Sequence, residues 1–144
     1  MTDNKDFKVS IAIPTYNSSK YLSSCINSLK NSELINEIII HDDHSDEDKY
    51  KKILNKFNKF KNTLNIKIYR NSKNIGAFKN KFDNIQKCKN EIIYQIDSDN
   101  IASPNLDKVF NFVNVENNPS FLYIPSRIYQ FRKYPKSAKI FSTL

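Results

Sequence analysis

Glycine is almost missing from this sequence: Gly76 is the only one among 144 residues, whereas glycine usually makes up about 7% of a protein. This scarcity excludes a phosphate-binding loop built from several glycines. It also indicates that position 76 needs a glycine. One reason would be a turn with a positive φ angle, and another would be close approach of the backbone to a ligand at a helix start. The sequence leaves both open.

Cysteines and long apolar runs are also scarce. Cys25 and Cys88 are the only cysteines, and no CxxC spacing is present. They are typical of reduced core residues in a cytosolic protein. The first apolar run, VSIAI at 9–13, has five residues, which is too short for a signal peptide or a membrane-spanning helix.

Acidic residues are absent from the end of the chain. Residues 117–144 hold five basic residues and no acidic one, and so carry +5 of the net +8. We therefore divide the chain into an α/β core, 1–116, and a basic segment, 117–144, whose predicted short strands pack on or extend from the same domain. The basic charge suits an anionic membrane face, and a solvated surface explains it equally well. No nucleic-acid partner is expected, because the basic residues show no groove-binding motif.

The apolar residues predict four strands that alternate with four helices. Strands are predicted over 8–13, 37–41, 65–70 and 91–96, and helices begin near Ser18, Ser45, Ala77 and Ser103. Pro14 is expected to end the first strand. Phe78, Phe82 and Ile85 mark the third helix, 77–89. The alternation predicts an α/β fold of three layers, with a mainly parallel sheet and helices on both faces.

Polar side chains follow three of the predicted strands at the point where each strand ends. The three clusters are Pro14-Thr15-Tyr16-Asn17, His41-Asp42-Asp43-His44 and Asp97-Ser98-Asp99-Asn100. Ligands of open α/β sheets bind outside the carboxyl ends of the strands. We therefore expect the three clusters to converge on one crevice.

Asp97 and Asp99 place two negative charges one residue apart. They would point the same way if the strand geometry continued, and a cation between them and a ligand would relieve their repulsion. A few oxygen ligands suit Mg²⁺ or Mn²⁺, which keep positions open for diphosphate oxygens. The alternative is a solvated turn, since Asp, Ser and Asn are common turn formers. The position directly after a buried strand favours the cation.

Asp42 and Asp43 allow two interpretations as well. One carboxylate of the pair can accept hydrogen bonds from a base edge or a ribose diol, and negative charge is also favourable at the start of the following helix. His41 and His44 flank the pair three residues apart, with no cysteine near. They are a poor match for a zinc site, which requires four ligands in a tetrahedral array.

Four segments of the chain resemble a known family when taken together. They read VSIAIPTYN, EIIIHDDHSDED, KNIGAFKNK and IIYQIDSDN, in this order. In this order and spacing they resemble the inverting family 2 glycosyltransferases of GT-A fold, over about residues 8–115. The resemblance implies an enzyme that binds a nucleotide-sugar, usually a UDP-sugar, and transfers the sugar to an acceptor hydroxyl, on a glycan or a lipid-linked molecule.

The resemblance also implies the nucleotide contacts. Pro14, Thr15 and Tyr16 match positions that line the uridine pocket. Asp42 and Asp43 match the acidic pair that contacts uracil and ribose. His44 departs from the family, which often has glycine at that position.

The diphosphate end of the pocket is implied in the same way. Asn74 and Gly76 match the loop beside the nucleotide. Lys81 stands where the family usually has an arginine near the base or diphosphate, so the planar guanidinium fork is lost. The Asp97-Ser98-Asp99 triplet matches the metal-binding DxD motif. Asp99 would be the main ligand of Mn²⁺ or Mg²⁺, and Asp97 would contact the ribose or the metal.

The acceptor side is where the sequence departs furthest from the family. Domains of this family continue past the triplet into an acceptor-binding half with a general base. Here 45 residues follow Asp99, and their only acidic residues are Asp107 and Glu116, both in the predicted fourth helix. We therefore expect a chain truncated after the donor-binding half, without a general base. The alternative function is a module that binds nucleotide-sugar and transfers nothing.

Overall fold

The computed structural model describes residues 7–58, 60 and 63–116. Within these residues four strands alternate with four helices. The elements are β1 (Val9–Thr15), α1 (Ser19–Leu29), β2 (Ile35–Asp42), α2 (Glu47–Phe57), β3 (Ile66–Arg70), α3 (Ala77–Ile85), β4 (Ile92–Gln95) and α4 (Leu106–Glu116). The basic segment 117–144, with its predicted strands and membrane contact, lies outside the described residues. No helix in the described part is long and apolar enough to cross a membrane.

The four strands form one parallel sheet in the order β3-β2-β1-β4. β2 and β3 are added in turn on one side of β1, and the chain then crosses back over the sheet to add β4 on the other side of β1. Because crossovers of this kind are right-handed, α1 and α2 cover one face of the sheet and α3 covers the other. The predicted three-layer α/β architecture is confirmed, and β1 lies between the two neighbours whose ends carry the acidic clusters.

The core is built from the strand residues that the apolar runs predict. Every residue of β1 is buried, and so are the last six residues of β2. Helix α1 packs its stripe of Leu22, Cys25, Ile26 and Leu29 against this sheet. Such stripes supply most of the stability of a helix in a folded domain.

Pro14 does not end the first strand, contrary to prediction. β1 continues to Thr15, and Pro14 pairs with His41 of β2. The carbonyl of Ala12 accepts a hydrogen bond from Ile96 on the β4 side, so the nitrogen of Pro14, two residues on, faces the same side. β4 has already ended there, and the N–H that proline lacks has no strand partner to lose.

The predicted third helix is present but ends at Ile85 rather than 89, and the phenylalanines that mark it do not form its buried face. Phe78 and Phe82 are 88% and 57% exposed, whereas Asn80 and Asn84 are buried against the sheet. The Asn80 side chain donates to the carbonyl of His41 and accepts from Asn71. Two residues correspond to about 200° around a helix, so burying this polar pair turns the phenylalanines outward.

A buried carboxylate lies near the starts of β1 and β2. Glu37 is almost fully buried and accepts hydrogen bonds from the Ser10 hydroxyl (2.9 Å), the Lys67 ammonium (3.0 Å) and the Lys89 amide (2.7 Å). Burial raises the pKa of Glu37, but these hydrogen bonds outweigh it and hold the pKa below its ordinary value. The charged form therefore stabilises the fold.

We expect this carboxylate to make stability depend on pH. Because the pKa of Glu37 is lower in the folded than in the unfolded state, ionised Glu37 stabilises the fold fully above its unfolded pKa of about 4.3. This stabilisation is lost as the pH falls through the pKa of the folded state. Glu37→Gln should cost about 1–3 kcal/mol at pH 7 and less as the pH falls below about 4. Urea unfolding at pH 7, 5, 4 and 3 measures this. The exposed control Glu91→Gln should change little, and equal losses for Glu37→Gln at all four pH values would contradict the prediction.

Candidate functional site

The carboxyl ends of β1, β2 and β4 meet at one edge of the sheet, as predicted. At the end of β1, Thr15 is buried and its carbonyl accepts from the Asp43 amide at 2.8 Å. Its hydroxyl oxygen has no hydrogen-bond partner among the residues that the structure describes. Tyr16 follows with half of its surface exposed. Buried hydroxyls are normally paired, so an unpaired one is an unusual feature of this edge.

Asp42 is directed into the protein. It has no exposed surface, and its carboxylate accepts from both the backbone amide and the hydroxyl of Ser45. The Nε of Arg70 lies 3.3 Å from Oδ2, an ion-pair contact without good hydrogen-bond alignment. With no surface available to a ligand, Asp42 positions the turn at 42–45. This buried state does not support its predicted contact with uracil or ribose.

Asp43 holds the loop that leads to α3. Its Oδ1 accepts from the Asn71 side chain at 2.8 Å and the Ile75 amide at 2.9 Å, and its Oδ2 accepts from the Gly76 amide at 2.9 Å. An ionised carboxylate offers about four acceptor positions. Asp43 is buried and three of these positions are filled within the protein, so its observed role is to hold the loop, and the fourth position, on Oδ2, has no donor in these three contacts.

The two histidines beside this pair have separate surroundings. The His41 ring packs edge-on against Tyr69, and His44 contacts the carbonyl of Asn71 at 3.1 Å. Burial and the charge of Lys87 lower the pKa of His41. His44 has φ 61°, which explains why a glycine suits this position.

Gly76 owes its identity to its backbone conformation. It has φ 90° and ψ 152°, a combination that is essentially restricted to glycine. An added Cβ would meet no atom within 4 Å, so contact with the protein is not the reason. Its amide donates to Asp43 and Asn74, and α3 begins at the next residue. Of the two explanations that the sequence leaves open, the positive φ angle is the one observed.

We expect Gly76→Ala to destabilise the fold by about 1–3 kcal/mol, the cost of a side chain in this backbone region. Urea unfolding should show a lower midpoint with an unchanged slope. Lys73→Ala, an exposed change in the same loop, is the control and should stay within about 0.5 kcal/mol of the parent. A Gly76→Ala protein as stable as this control would contradict the backbone argument.

The Asp97-Ser98-Asp99 triplet forms a turn just beyond β4. The amide of Asn100 donates to the carbonyl of Asp97 at 2.9 Å. Ser98 is buried, while Asp97 is half-exposed and Asp99 is exposed. β4, predicted to be a buried strand, is only partly buried. The solvated turn is the state observed, and Asp97 and Asp99 remain predicted cation ligands.

Two contacts define the surroundings of this pair. The Lys81 ammonium lies 2.7 Å from Oδ1 of Asp97, so the lysine expected at the base or diphosphate contacts the triplet. Burial raises the pKa of Cys25 to about 12, and the charges of Asp99 and Asp97 add to the rise. The Cys25 thiol lies 3.8 Å from the carbonyl oxygen of Asp97 and so contacts the backbone of the turn.

The donor set at this turn suits a hard cation with few protein ligands. The described residues contain no group of three or more His, Cys, Asp or Glu side chains that could hold a metal ion. Asp99 is exposed and Asp97 is shared with Lys81. Mg²⁺ binds in this way, through one or two carboxylates with substrate phosphates filling other positions.

Sequence reasoning missed the residues at the end of β3. Arg70 binds Asp42, and Asn71 links Asp43 to Asn80. The signal was available, because Arg70 and Asn71 follow a strand just as the three recognised clusters do. They were not linked to the site because their partners are distant in sequence.

Comparison with solved structures supports the fold. The crystal structure of Staphylococcus aureus TarS 1–349 matches with a TM-score of 0.65 and 27% identity, over 76% of this chain and 33% of that chain. The same protein was solved in complex with UDP-GlcNAc. The mannosyltransferase PcManGT from Pyrobaculum calidifontis, in complex with GDP-Man and Mn²⁺, matches with a TM-score of 0.66 and 13% identity, over 81% of this chain and 34% of that chain. The fold is that of a GT-A glycosyltransferase.

Sequence comparison identifies the family. The chain belongs to glycosyl transferase family 2, which it matches over residues 10–140. It is 40% identical over 110 residues to the poly(ribitol-phosphate) beta-glucosyltransferase of Bacillus spizizenii, covering 73% of this chain and 17% of that protein. It is 34% identical over 107 residues to an uncharacterized glycosyltransferase of Mycoplasma genitalium, covering 72% of this chain and 36% of that protein. The chain thus spans about a sixth to a third of the length of these curated relatives.

Proposed function

We propose that this chain is the donor-binding part of a glycosyltransferase that takes a UDP-sugar together with Mn²⁺ or Mg²⁺. The observation that carries the proposal is the convergence of three strand ends at one sheet edge. There an unpartnered buried hydroxyl on Thr15, the loop held by Asp43 and the Asp97–Asp99 turn lie together. TarS, which is 27% identical, was solved with UDP and with UDP-GlcNAc, which supports a uridine donor.

We assign the binding of the nucleoside end of the donor to β1 and the loop before α3. The exposed ring of Tyr16 offers a face on which a base can stack. The free acceptor position on Asp43 suits an N–H on the edge of the base, and the Thr15 hydroxyl suits a polar group of the nucleoside. Pro14 carries the strand to this point, and Asn74 and Gly76 form the exposed rim.

We assign the binding of the donor diphosphate to the turn after β4. Asp99 would hold the cation with Asp97 beside it, and the buried Ser98 lies between them in the turn. A bound cation would neutralise the charge that develops on the departing nucleoside diphosphate. The Lys81 ammonium keeps the Asp97 carboxylate in place and leaves the exposed Asp99 as the principal ligand.

The acceptor side has no general base among the described residues that follow the turn. Asp107 accepts from the Ser32 hydroxyl and from the Glu33 amide at 3.4 Å, at the end of α1. It is a structural group of the α1–α4 contact. The second candidate function is a module that binds nucleotide-sugar without transferring the sugar.

Calorimetric titration with UDP, with and without MnCl₂, tests the donor site. We expect binding that requires the metal, and much weaker binding of ADP at the same metal concentration. Metal-independent binding, or none, would reject the proposal. Slow release of free sugar from a UDP-sugar would show that the pocket activates its donor and would distinguish a transferase from a binding module.

A further inference from the structure

Lys81 brings a positive charge of the chain itself to the turn that carries the candidate cation ligands. Its ammonium lies 2.7 Å from Oδ1 of Asp97, which is the distance of a charge-assisted hydrogen bond. Asp97 is one of the two carboxylates of this turn, and Asp99 is the other. Half of the negative charge that would attract a divalent cation is therefore already neutralised by a lysine.

The two elements that carry this ion pair are held in place by the fold. Asn80, the residue before Lys81, is buried and donates to the carbonyl of His41 at 3.0 Å. The carbonyl of Asp97 accepts from the Asn100 amide at 2.9 Å. Because the backbone is fixed on both sides, the ion pair can open by movement of the lysine side chain alone.

The ion pair itself costs little to open. The side chains of Lys81 and Asp97 are 36% and 44% exposed, and ion pairs near the surface contribute little to stability. A lysine carries three donors on a flexible four-carbon stem. It can therefore exchange a carboxylate for a phosphate oxygen while α3 stays where it is.

We propose that Lys81 competes with the divalent cation for Asp97 and thereby makes metal binding depend on the nucleotide. The inference rests on the proposed function and concerns the regulation of its site. While the ammonium pairs with Asp97, it repels a second cation at the turn. A nucleoside diphosphate offers the ammonium another anionic partner, so that both carboxylates become available as ligands.

The small number of ligands at the turn supports this coupling. The described part of the chain has no group of three or more His, Cys, Asp or Glu side chains that could hold a metal ion. A turn with two carboxylates, one of them paired with an ammonium, attracts a free cation weakly. Mg²⁺ typically completes such a site with substrate phosphates, so the nucleotide supplies what the turn lacks.

A purely structural role of Lys81 predicts the opposite result. If the ion pair only held α3 against the turn, its loss would loosen the Asp97 carboxylate and weaken metal binding. If the ammonium competes with the metal, its loss strengthens metal binding in the absence of nucleotide. The sign of the change therefore distinguishes the two roles.

Titration of the whole chain with Mn²⁺, followed by the paramagnetic signal of the free ion, measures this sign. Without UDP, Lys81→Met should bind Mn²⁺ about fivefold more tightly than the parent, because a neighbouring positive charge is removed. UDP should then tighten Mn²⁺ binding at least about fivefold less in this variant than in the parent, and Mn²⁺ should affect UDP binding by the same factors. Lys81→Arg keeps the charge and should bind free Mn²⁺ as weakly as the parent.

Lys79→Met is the matched control on the same helix. It also removes one lysine that pairs with a carboxylate, since Lys79 lies 3.1 Å from Asp83. Because solvent and salt screen more distant charges, its Mn²⁺ affinity should stay within about twofold of the parent. Thermal unfolding checks that all three variants fold.

The remaining outcomes separate failure of the proposal from failure of the donor site. Unchanged or weaker binding of free Mn²⁺ by Lys81→Met would refute the proposal. Equal gains in Lys79→Met and Lys81→Met would refute it as well, because net charge alone would explain them. If neither the parent nor Lys81→Met bound UDP at any Mn²⁺ concentration, the donor site would be wrong, while a gain in Mn²⁺ affinity confined to Lys81→Met would still support competition at the turn.

Discussion

Asp99→Asn is expected to remove metal-dependent UDP binding while leaving the fold intact. The side chain is exposed at the turn beyond β4, so the amide is accommodated, but it brings no negative charge to a cation. Loss of a residue that only supports a metal ligand typically costs about 10–100-fold in metal affinity, and loss of the main ligand should cost at least as much. Titration of Mn²⁺ in the presence of UDP, followed by the paramagnetic signal of free Mn²⁺, measures the change directly.

Two comparison variants make this result specific. Asp83→Asn removes a carboxylate on α3 that pairs with Lys79 and should leave Mn²⁺ and UDP binding unchanged. Asp97→Asn removes the partner of Lys81 and should weaken binding less than Asp99→Asn, since Asp97 is already shared with an ammonium. If Asp99→Asn bound Mn²⁺ and UDP like the parent, the cation site at this turn would be wrong.

The strand ends were predictable because they depend on topology alone. Alternating strands and helices require a mainly parallel sheet, and the carboxyl ends of parallel strands share an edge. Thr15, Asp43 and Asp97 therefore reach one edge whatever their detailed contacts are. The hydrogen-bond and ion-pair partners of each side chain could not be predicted in this way. Asp42 resembles a ligand-binding carboxylate in sequence, and only the folded structure shows that it is buried in contact with Ser45 and Arg70.

The face of α3 shows where periodicity fails. Its phenylalanines and its asparagines both recur at helical spacing, and hydrophobicity alone selects Phe78 and Phe82 for the core. The folded chain instead buries Asn80, because this side chain satisfies the His41 carbonyl and Asn71 behind the site. The partners of Asn80 come from segments that are distant in sequence. Asn84 is buried too, and its side chain has no hydrogen-bond partner among the described residues.

Arg70→Met should be the most damaging of the substitutions considered for stability. Arg70 joins the ends of β2 and β3 and the start of α2. Its guanidinium contacts Asp42 at 3.3 Å, Glu47 at 3.0 Å and the Ser45 carbonyl at 2.8 Å, and lies over the Tyr50 ring at 4.1 Å. Breaking a buried pair from one side costs about 3–5 kcal/mol. Because the arginine is 24% exposed while Asp42 is fully buried, we expect about 2–4 kcal/mol after allowing for solvent screening.

The unpaired Asp42 carboxylate is the cause of this loss, and a second substitution tests that cause. Asp42→Asn/Arg70→Met removes the charge left behind, so the double variant should be more stable than the sum of the two single losses predicts. Lys79→Met breaks an exposed pair with Asp83 and should cost less than about 1 kcal/mol. Urea unfolding of the parent, Asp42→Asn, Arg70→Met and the double variant provides the double-mutant cycle, and Lys79→Met is the exposed control. Strict additivity would show that Arg70 stabilises the fold through its other contacts, and that Asp42 does not depend on it to hold the turn at the donor site.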